Sequence, residues 1–489
     1  MTPARRRDLT VAAFFVALAF ALRAAQFGNP VIQVDEQFYL LVGDRMWGGA
    51  LPYVDFWDRK PLGLFLIYAA TRLFGGDGVI QYQVVAACSA AATAFLIALL
   101  ARRIAPPRGG LFAGAVYLIW LMVNGGDGGQ APVFYNPLVA GAALAVVKAI
   151  ERPAFDRRFL GWACAAMALT GLALQVKYSV LIEGIFFGLA LIWTALRKGA
   201  RSAAVLGAAT AWVVLAIVPT ALALGYYAAI GHAQAFVFAN FQSIFLRAPY
   251  EADITQRLLK IATRLALPAL AGVAGWLWST DQPRDIRLFL GGWTATALVS
   301  LLVFGTYHDH YALAPLLPLA MLGGAAYAWL KPVLGLRLAP VALGVALAGL
   351  VWSWVIIGDL RWRRGDGSAA RAMSARIAPG ETLFVFSGDP ALYRLSGARI
   401  PTVLNFPTLL SERRDSLSLG TDMHRELARV MAIRPRYVAT RSGYPFPEAD
   451  PAAWDFMAGV LARDYRLIAD VEVGPRHRLL YEIKTAGED

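Results

Sequence analysis

Between Val34 and Pro61 the chain reads VDEQFYLLVGDRMWGGALPYVDFWDRKP, which sets two adjacent carboxylates, Asp35 and Glu36, and a basic pair, Arg59 and Lys60, in one short stretch. A positioned carboxylate can take a proton from a hydroxyl, and a fixed ammonium can stabilise an anion that develops as a bond breaks. Tyr39, Asp55 and Asp58 stand in the same stretch and, with Arg59, are candidates for contacting a substrate. A second constellation, YHDHY from Tyr307 to Tyr311, places two imidazoles around an aspartate. His-Asp-His supplies metal ligands, but neighbouring residues in a strand or loop splay apart, which disfavours a metal. Interfacial solvation is the competing account. Lys177, in LALQVKYSVL, either binds an anion or snorkels to the interface. Asp127, in the glycine-rich NGGDGGQ, is a substrate-contact candidate or part of a turn, and the strand and helix of a nucleotide-binding loop are missing around it.

These residues must be positioned by elements that live in lipid. With 58% hydrophobic and 16% charged residues in 489, and a mean hydropathy of +0.52, the chain reads as a polytopic α-helical membrane protein. A span needs about 20 apolar residues, and about eleven helices are expected: Leu9 to Phe27, Val79 to Ala101, Leu111 to Val123, Val133 to Ile150, Phe159 to Leu174, Ser179 to Leu196, Ala203 to Tyr226, Ile261 to Trp278, Leu288 to Phe304, Tyr311 to Leu330 and Val341 to Ile357. The formal charge of +13 does not signal nucleic acid, because the basic residues cluster in alternate loops. Arg5 to Arg7 precede the first span, and Arg102, Arg103 and Arg108, then Lys148, Arg152, Arg157 and Arg158, then Arg197, Lys198 and Arg201 follow the even ones. Arg284, Arg287, Lys331 and Arg337 continue the series. The positive-inside bias then sets the N-terminus in the cytoplasm and the C-terminus outside. Arg5 to Arg7 before an apolar run also fit a signal peptide, but the polytopic remainder favours an uncleaved span. Cys88 and Cys164, both in apolar runs, read as buried packing residues and form no metal or disulfide framework.

This topology puts the unusual polar residues on the outer face, where ionisable groups at span ends point to function. Asp35 and Glu36 open a stretch with Phe38, Leu41, Val42 and Met46 at helical spacing, a short helix lying on the membrane. Asp35 fits an N-cap there as well as a chemical role. The segment from His232 to Asp253, aromatic with Gln234, Asn240, Gln242 and Arg247, reads as an interfacial helix packed on the bilayer or lining an entrance.

In order and spacing these motifs resemble the lipid-phosphate-dependent glycosyltransferases of the GT-C fold, the bacterial relatives of protein O-mannosyltransferases and aminoarabinose transferases. That pattern has an acidic pair, an aromatic, a Gly and Pro turn and Lys-Pro-Pro-Leu; the counterparts are Asp35, Glu36, Tyr39, Gly48 to Pro52 and Lys60-Pro61-Leu62, with Leu62 replacing the second Pro. The resemblance implies transfer of a sugar from a polyprenyl phosphate to an acceptor hydroxyl with inversion at the anomeric centre. It implies Asp35 as catalytic base with Glu36 in support, and donor-phosphate contacts from Lys60, Lys177, His308, His310 and Tyr311. No cofactor is expected, and a divalent metal is not favoured. The acceptor is a glycolipid, polysaccharide or protein, and the location a bacterial inner membrane.

Past Asp359 the hydrophobic density falls. Strand-like segments at Thr382 to Ser387, Arg436 to Thr440, Tyr465 to Val471 and Arg478 to Lys484 alternate with helical ones. The chain therefore divides into a transmembrane domain, residues 1–358, with a first external loop over 28–78, and a small extracytoplasmic α/β domain, 359–489. A transporter or lipid flippase would also use many spans, but its ionisable groups belong near the midplane, whereas here they gather at one interface.

Overall fold

The computed structural model describes residues 2–247, 254–279, 281–303, 307–334 and 338–485, apart from the side chains of 328–334, 338–343, 345 and 346. Lys331 beyond its backbone, Arg337 and the end of the segment from His232 lie outside the described residues. The chain forms two compact units, one of Met1–Phe27, Gln83–Ala223 and Ile254–Ile356, the other of Gly28–Tyr82, Leu224–Asp253 and Ile357–Asp489. The division differs from a simple split near residue 358: the loop after the first span is built together with the C-terminal region.

Among the described residues a helix stands at every expected span. Among the described residues seven helices are long and apolar enough to cross a bilayer: Pro3–Gln26, Val79–Ala101, Ala131–Ile150, Tyr178–Arg197, Ser202–Ala229, Ile254–Trp278 and Arg284–Val303. Pro107–Val123, Arg157–Leu174, Leu313–Leu334 and Leu338–Arg364 supply the other four expected segments. The chain is a multi-pass membrane protein. Lipid gives helices no hydrophobic reason to associate, so close backbone approach at small residues matters more. A Cβ on Gly275 would fall 2.0 Å from the Leu322 carbonyl oxygen, and one on Gly109 2.3 Å from that of Gly324. Cys88 is exposed and Cys164 partly so, a correction to their expected burial; composition does not tell which side of an apolar helix faces lipid.

The basic loop residues meet at one end of the first unit. Arg102 pairs with Asp8 at 2.6 Å, Arg103 with Glu151 at 2.7 Å and Arg197 with Asp285 at 2.6 Å. Elsewhere in the unit, buried Arg23 donates to the Gly126 carbonyl at 2.6 Å and Gln26 to the Asp127 carboxylate at 2.7 Å, pinning the glycine-rich loop.

The second unit is built on a four-stranded sheet of β1 (Leu383–Val385), β2 (Tyr437–Arg441), β3 (Tyr465–Val473) and β4 (Arg476–Ile483) in the order β1-β2-β4-β3. β1 runs parallel to β2, and β4 is antiparallel to both its neighbours. Phe384, Phe386 and Val438 pack with Leu427 and Val430 of helix Met423–Ala432 and with Trp454 and Met457 of helix Pro451–Asp464. Trp57 of the loop after the first span joins this core, and its backbone N–H donates to the Val403 carbonyl at 3.0 Å. Gln37 bonds Asp389 and the backbone of Ala391, and Phe38 meets Phe406 edge to face at 5.2 Å. The loop is thereby a structural part of the α/β region.

Candidate functional site

The helix Val34–Met46 begins one residue before the acidic pair, with Gln33 at its N-cap. Asp35 is therefore not a cap. It sits with Glu36 in the first turn, where both carboxylates complement the helix dipole. Glu36 is fully buried and accepts a hydrogen bond from the Tyr82 hydroxyl at 3.2 Å. Tyr82 meets Tyr68 in a tilted contact at 5.2 Å and Tyr68 meets Tyr39 at 5.6 Å, so an aromatic wall continues the acidic turn.

Lys60 completes this cluster. Its Nζ lies 5.2 Å from the centre of the Tyr39 ring and 3.9 Å from Asp58 Oδ1. Asp58 also accepts from the backbone N–H of Arg59 at 2.5 Å and of Lys60 at 3.0 Å, an Asx-type turn that sets the direction of the ammonium. Asp55 accepts from the Leu51 N–H at 2.7 Å and closes the turn before it. Tyr53 donates its hydroxyl to the Lys60 carbonyl at 2.7 Å and packs against Phe65, Tyr227 and Phe236. Its φ of +69° is left-handed, a conformation that costs a non-glycine residue about 1–2 kcal/mol. The aromatic cage holds it there. Burial, and then the charges of Asp35 and Asp58, push the Tyr39 hydroxyl well above its ordinary pKa, so it stays a proton donor. Carboxylates, a cation and a neutral phenol are thus grouped together.

Arg59 points elsewhere. Its guanidinium lies 4.5 Å over the Trp57 ring, pairs with Asp415 at 2.9 Å and donates to the Ser418 hydroxyl. Burial pulls its pKa down and Asp415 partly restores it.

The helical unit carries its own polar cluster. Lys177 Nζ lies 4.4 Å from the centre of the Tyr311 ring. His308, at the N-cap of a 3-10 turn Asp309–Ala312, and His310 within the turn lie parallel, 5.7 Å apart, and His310 meets Tyr311 at 5.0 Å. The expectation that these side chains splay apart is corrected, because the tight turn brings the two rings into register. Asp309 turns instead to Lys260 at 3.0 Å and Arg264 at 2.9 Å. Burial alone would raise its pKa, but those two cations outweigh it and hold Asp309 below the usual carboxylate range. Arg257 Nη1 lies 3.4 Å from His308 Nδ1. Among the described residues no group of three or more His, Cys, Asp and Glu is placed to hold a metal.

The structure gathers Asp35, Glu36, Tyr39, Asp58 and Lys60 in one cluster, with Asp55 on the adjoining turn, and Lys177, His308, His310 and Tyr311 in the other. Asp127 is buried in the glycine-rich loop. Sequence reasoning missed Tyr53, Tyr82, Asp415, and the basic face of Arg257, Lys260 and Arg264. The last had a signal, since its spacing of three and four residues puts all three on one side of a helix.

The many-helix array with a small sheet-bearing C-terminal region is the GT-C fold of membrane glycosyltransferases. Residues 58–222 match the family model described as dolichyl-phosphate-mannose-protein mannosyltransferase. The chain is similar to ArnT from Cupriavidus metallidurans bound to undecaprenyl phosphate, with TM-score 0.62 and 15% identity over 96% of this chain and 97% of that one. The apo state of the same protein aligns with TM-score 0.64 and 15% identity over 98% of both chains. The archaeal oligosaccharyltransferase AglB from Archaeoglobus fulgidus, in complex with an inhibitory peptide and a dolichol-phosphate, aligns with TM-score 0.52 and 14% identity over 90% of this chain and 70% of that one. No curated protein matches the chain in sequence.

Proposed function

We propose that the protein is a membrane glycosyltransferase that moves a sugar from a polyprenyl monophosphate to the hydroxyl of a glycolipid, polysaccharide or protein acceptor. The observation that carries this reading is the cluster around Tyr39, which sets the Lys60 ammonium 5.2 Å from the ring and the Asp35 charge beside it. In the proposed step Asp35 takes the acceptor proton as the acceptor oxygen bonds to the anomeric carbon. The bond from that carbon to the phosphate oxygen breaks, its electron pair leaves with the phosphate, and the anomeric centre inverts. Lys60 stabilises the charge gained by the departing phosphate, and the reaction as written uses no metal. Glu36, held by Tyr82, supports the acidic turn. Lys177, His308, His310 and Tyr311 are assigned to anion recognition in the helical unit, with Tyr39, Asp58 and Arg59 near the substrate or shaping the loop.

The meeting of basic loops through Arg102 and Asp8, Arg103 and Glu151, and Arg197 and Asp285 supports a cytoplasmic end for the helical unit. The protein then lies in a bacterial inner membrane with its N-terminus inside and its α/β region outside. The test is reconstitution in lipid nanodiscs with polyprenyl-phosphate sugars and the glycolipid, polysaccharide and protein fraction, as acceptors, extracted from the source membranes. The wild-type chain is expected to release polyprenyl phosphate, and Asp35→Asn to lose about 10²–10⁴ in turnover while still binding the donor. Normal turnover in Asp35→Asn would remove the base from the scheme, and accumulation of one lipid-linked sugar in cells lacking the protein would name the donor.

A further inference from the structure

Arg59 and Lys60 are consecutive cations that the fold sends to different partners. Lys60 stays beside Tyr39 and Asp58, whereas Arg59 crosses Trp57 and reaches Asp415 Oδ1 at 2.9 Å and the Ser418 hydroxyl. Arg247 Nε reaches the same carboxylate oxygen at 2.9 Å. One carboxylate thus ties together the first external loop, the segment before residue 248 and the α/β region. Only 10% of the Asp415 side chain and 15% of that of Arg59 are exposed, so salt and water screen this clamp weakly. Burial by itself would raise the pKa of Asp415, but Arg59 and Arg247 outweigh it and keep the group ionised.

The geometry matters for the neighbouring residue. Released from Asp415, Arg59 would leave the turn that aims Lys60 through Asp58 without its outer anchor. We infer that Asp415 is a positioning residue for donor binding: by clamping Arg59, it fixes the turn that presents the Lys60 ammonium to the donor phosphate. This rests on the donor reading above. Asp415 itself touches no reacting group in this scheme, and through it the α/β region takes part in donor binding.

The test is a double-mutant cycle on the full chain in nanodiscs, reading binding of undecaprenyl phosphate without a sugar. Lys60→Ala and Asp415→Asn are each expected to weaken binding about tenfold, and the double variant no further than Lys60→Ala, because coupled residues are not additive. Asp415→Glu should restore most of the loss. If Asp415→Asn does not fold, Arg59→Gln cuts the same tether and should show the same loss, absent in the Lys60→Ala background. Wild-type affinity in the Asp415 and Arg59 variants, or losses that multiply in full with that of Lys60→Ala, would overturn the inference alone. Wild-type affinity in Lys60→Ala would overturn the donor reading and this inference with it.

Discussion

The two polar clusters differ in the sign and balance of their charge. Around Tyr39, carboxylates at Asp35, Glu36 and Asp58 are interleaved with Lys60, and the loop that carries them is anchored in an α/β core through Trp57. Around Tyr311, cations and imidazoles prevail: Lys177, Arg257, Lys260, Arg264, His308 and His310 stand with Asp309, which two of them already engage. A mixed cluster can move a proton and stabilise an anion within one arrangement. A cationic cluster is suited to hold an anion. Under the proposed function, chemistry falls to the first and anion recognition to the second.

That assignment can be broken at three levels. The largest effect is expected from Trp57→Ala, which empties a buried indole site in the α/β core and should cost about 3–5 kcal/mol of stability, read as a lowered unfolding midpoint with turnover lost in parallel. An unchanged midpoint would show that the loop is not anchored as described. Next, Lys177→Ala should raise the KM for donor about tenfold, the scale of one charged contact, and leave kcat near wild type. A fall in kcat with unchanged KM would move chemistry into the cationic cluster. The smallest effect concerns Glu412, near Asp415 in the α/β region. Its pKa is pushed up to about 7 by burial, with Arg441 opposing and Glu448 adding to the rise. A carboxyl raised on folding contributes stability that is full below the unfolded value near 4.5 and is lost as pH rises through about 7. The unfolding midpoint should therefore decline between pH 5 and pH 7.5, about the span of those two values, and Glu412→Gln should flatten the decline. An equal slope in both proteins would assign the titration to another group.

Much of this comparison is legible before any folding is considered. Asp35, Glu36 and Lys60 are read together because they stand in order within one short stretch, and the spans are legible because hydropathy sums over neighbouring residues. The four strands fall within a few residues of their expected positions for the same reason. Asp35 reads as a candidate cap, two residues from the actual cap Gln33, because helix boundaries shift by one or two residues without a clear local signal. His308 and His310 were expected to diverge, since adjacency alone does not reveal a 3-10 turn.

What the chain by itself determined is local: which segments prefer lipid, which loops are basic, and which short stretch holds acid and base together. What only the tertiary structure decided is partnership. Arg59 meets Ser418 across 359 residues and Arg247 meets Asp415 across 168, while Trp57 fills a core made of residues beyond 380. No periodicity or composition encodes such pairs, because each depends on closing long loops and on which buried charge finds its counterpart once the helices and sheet have packed.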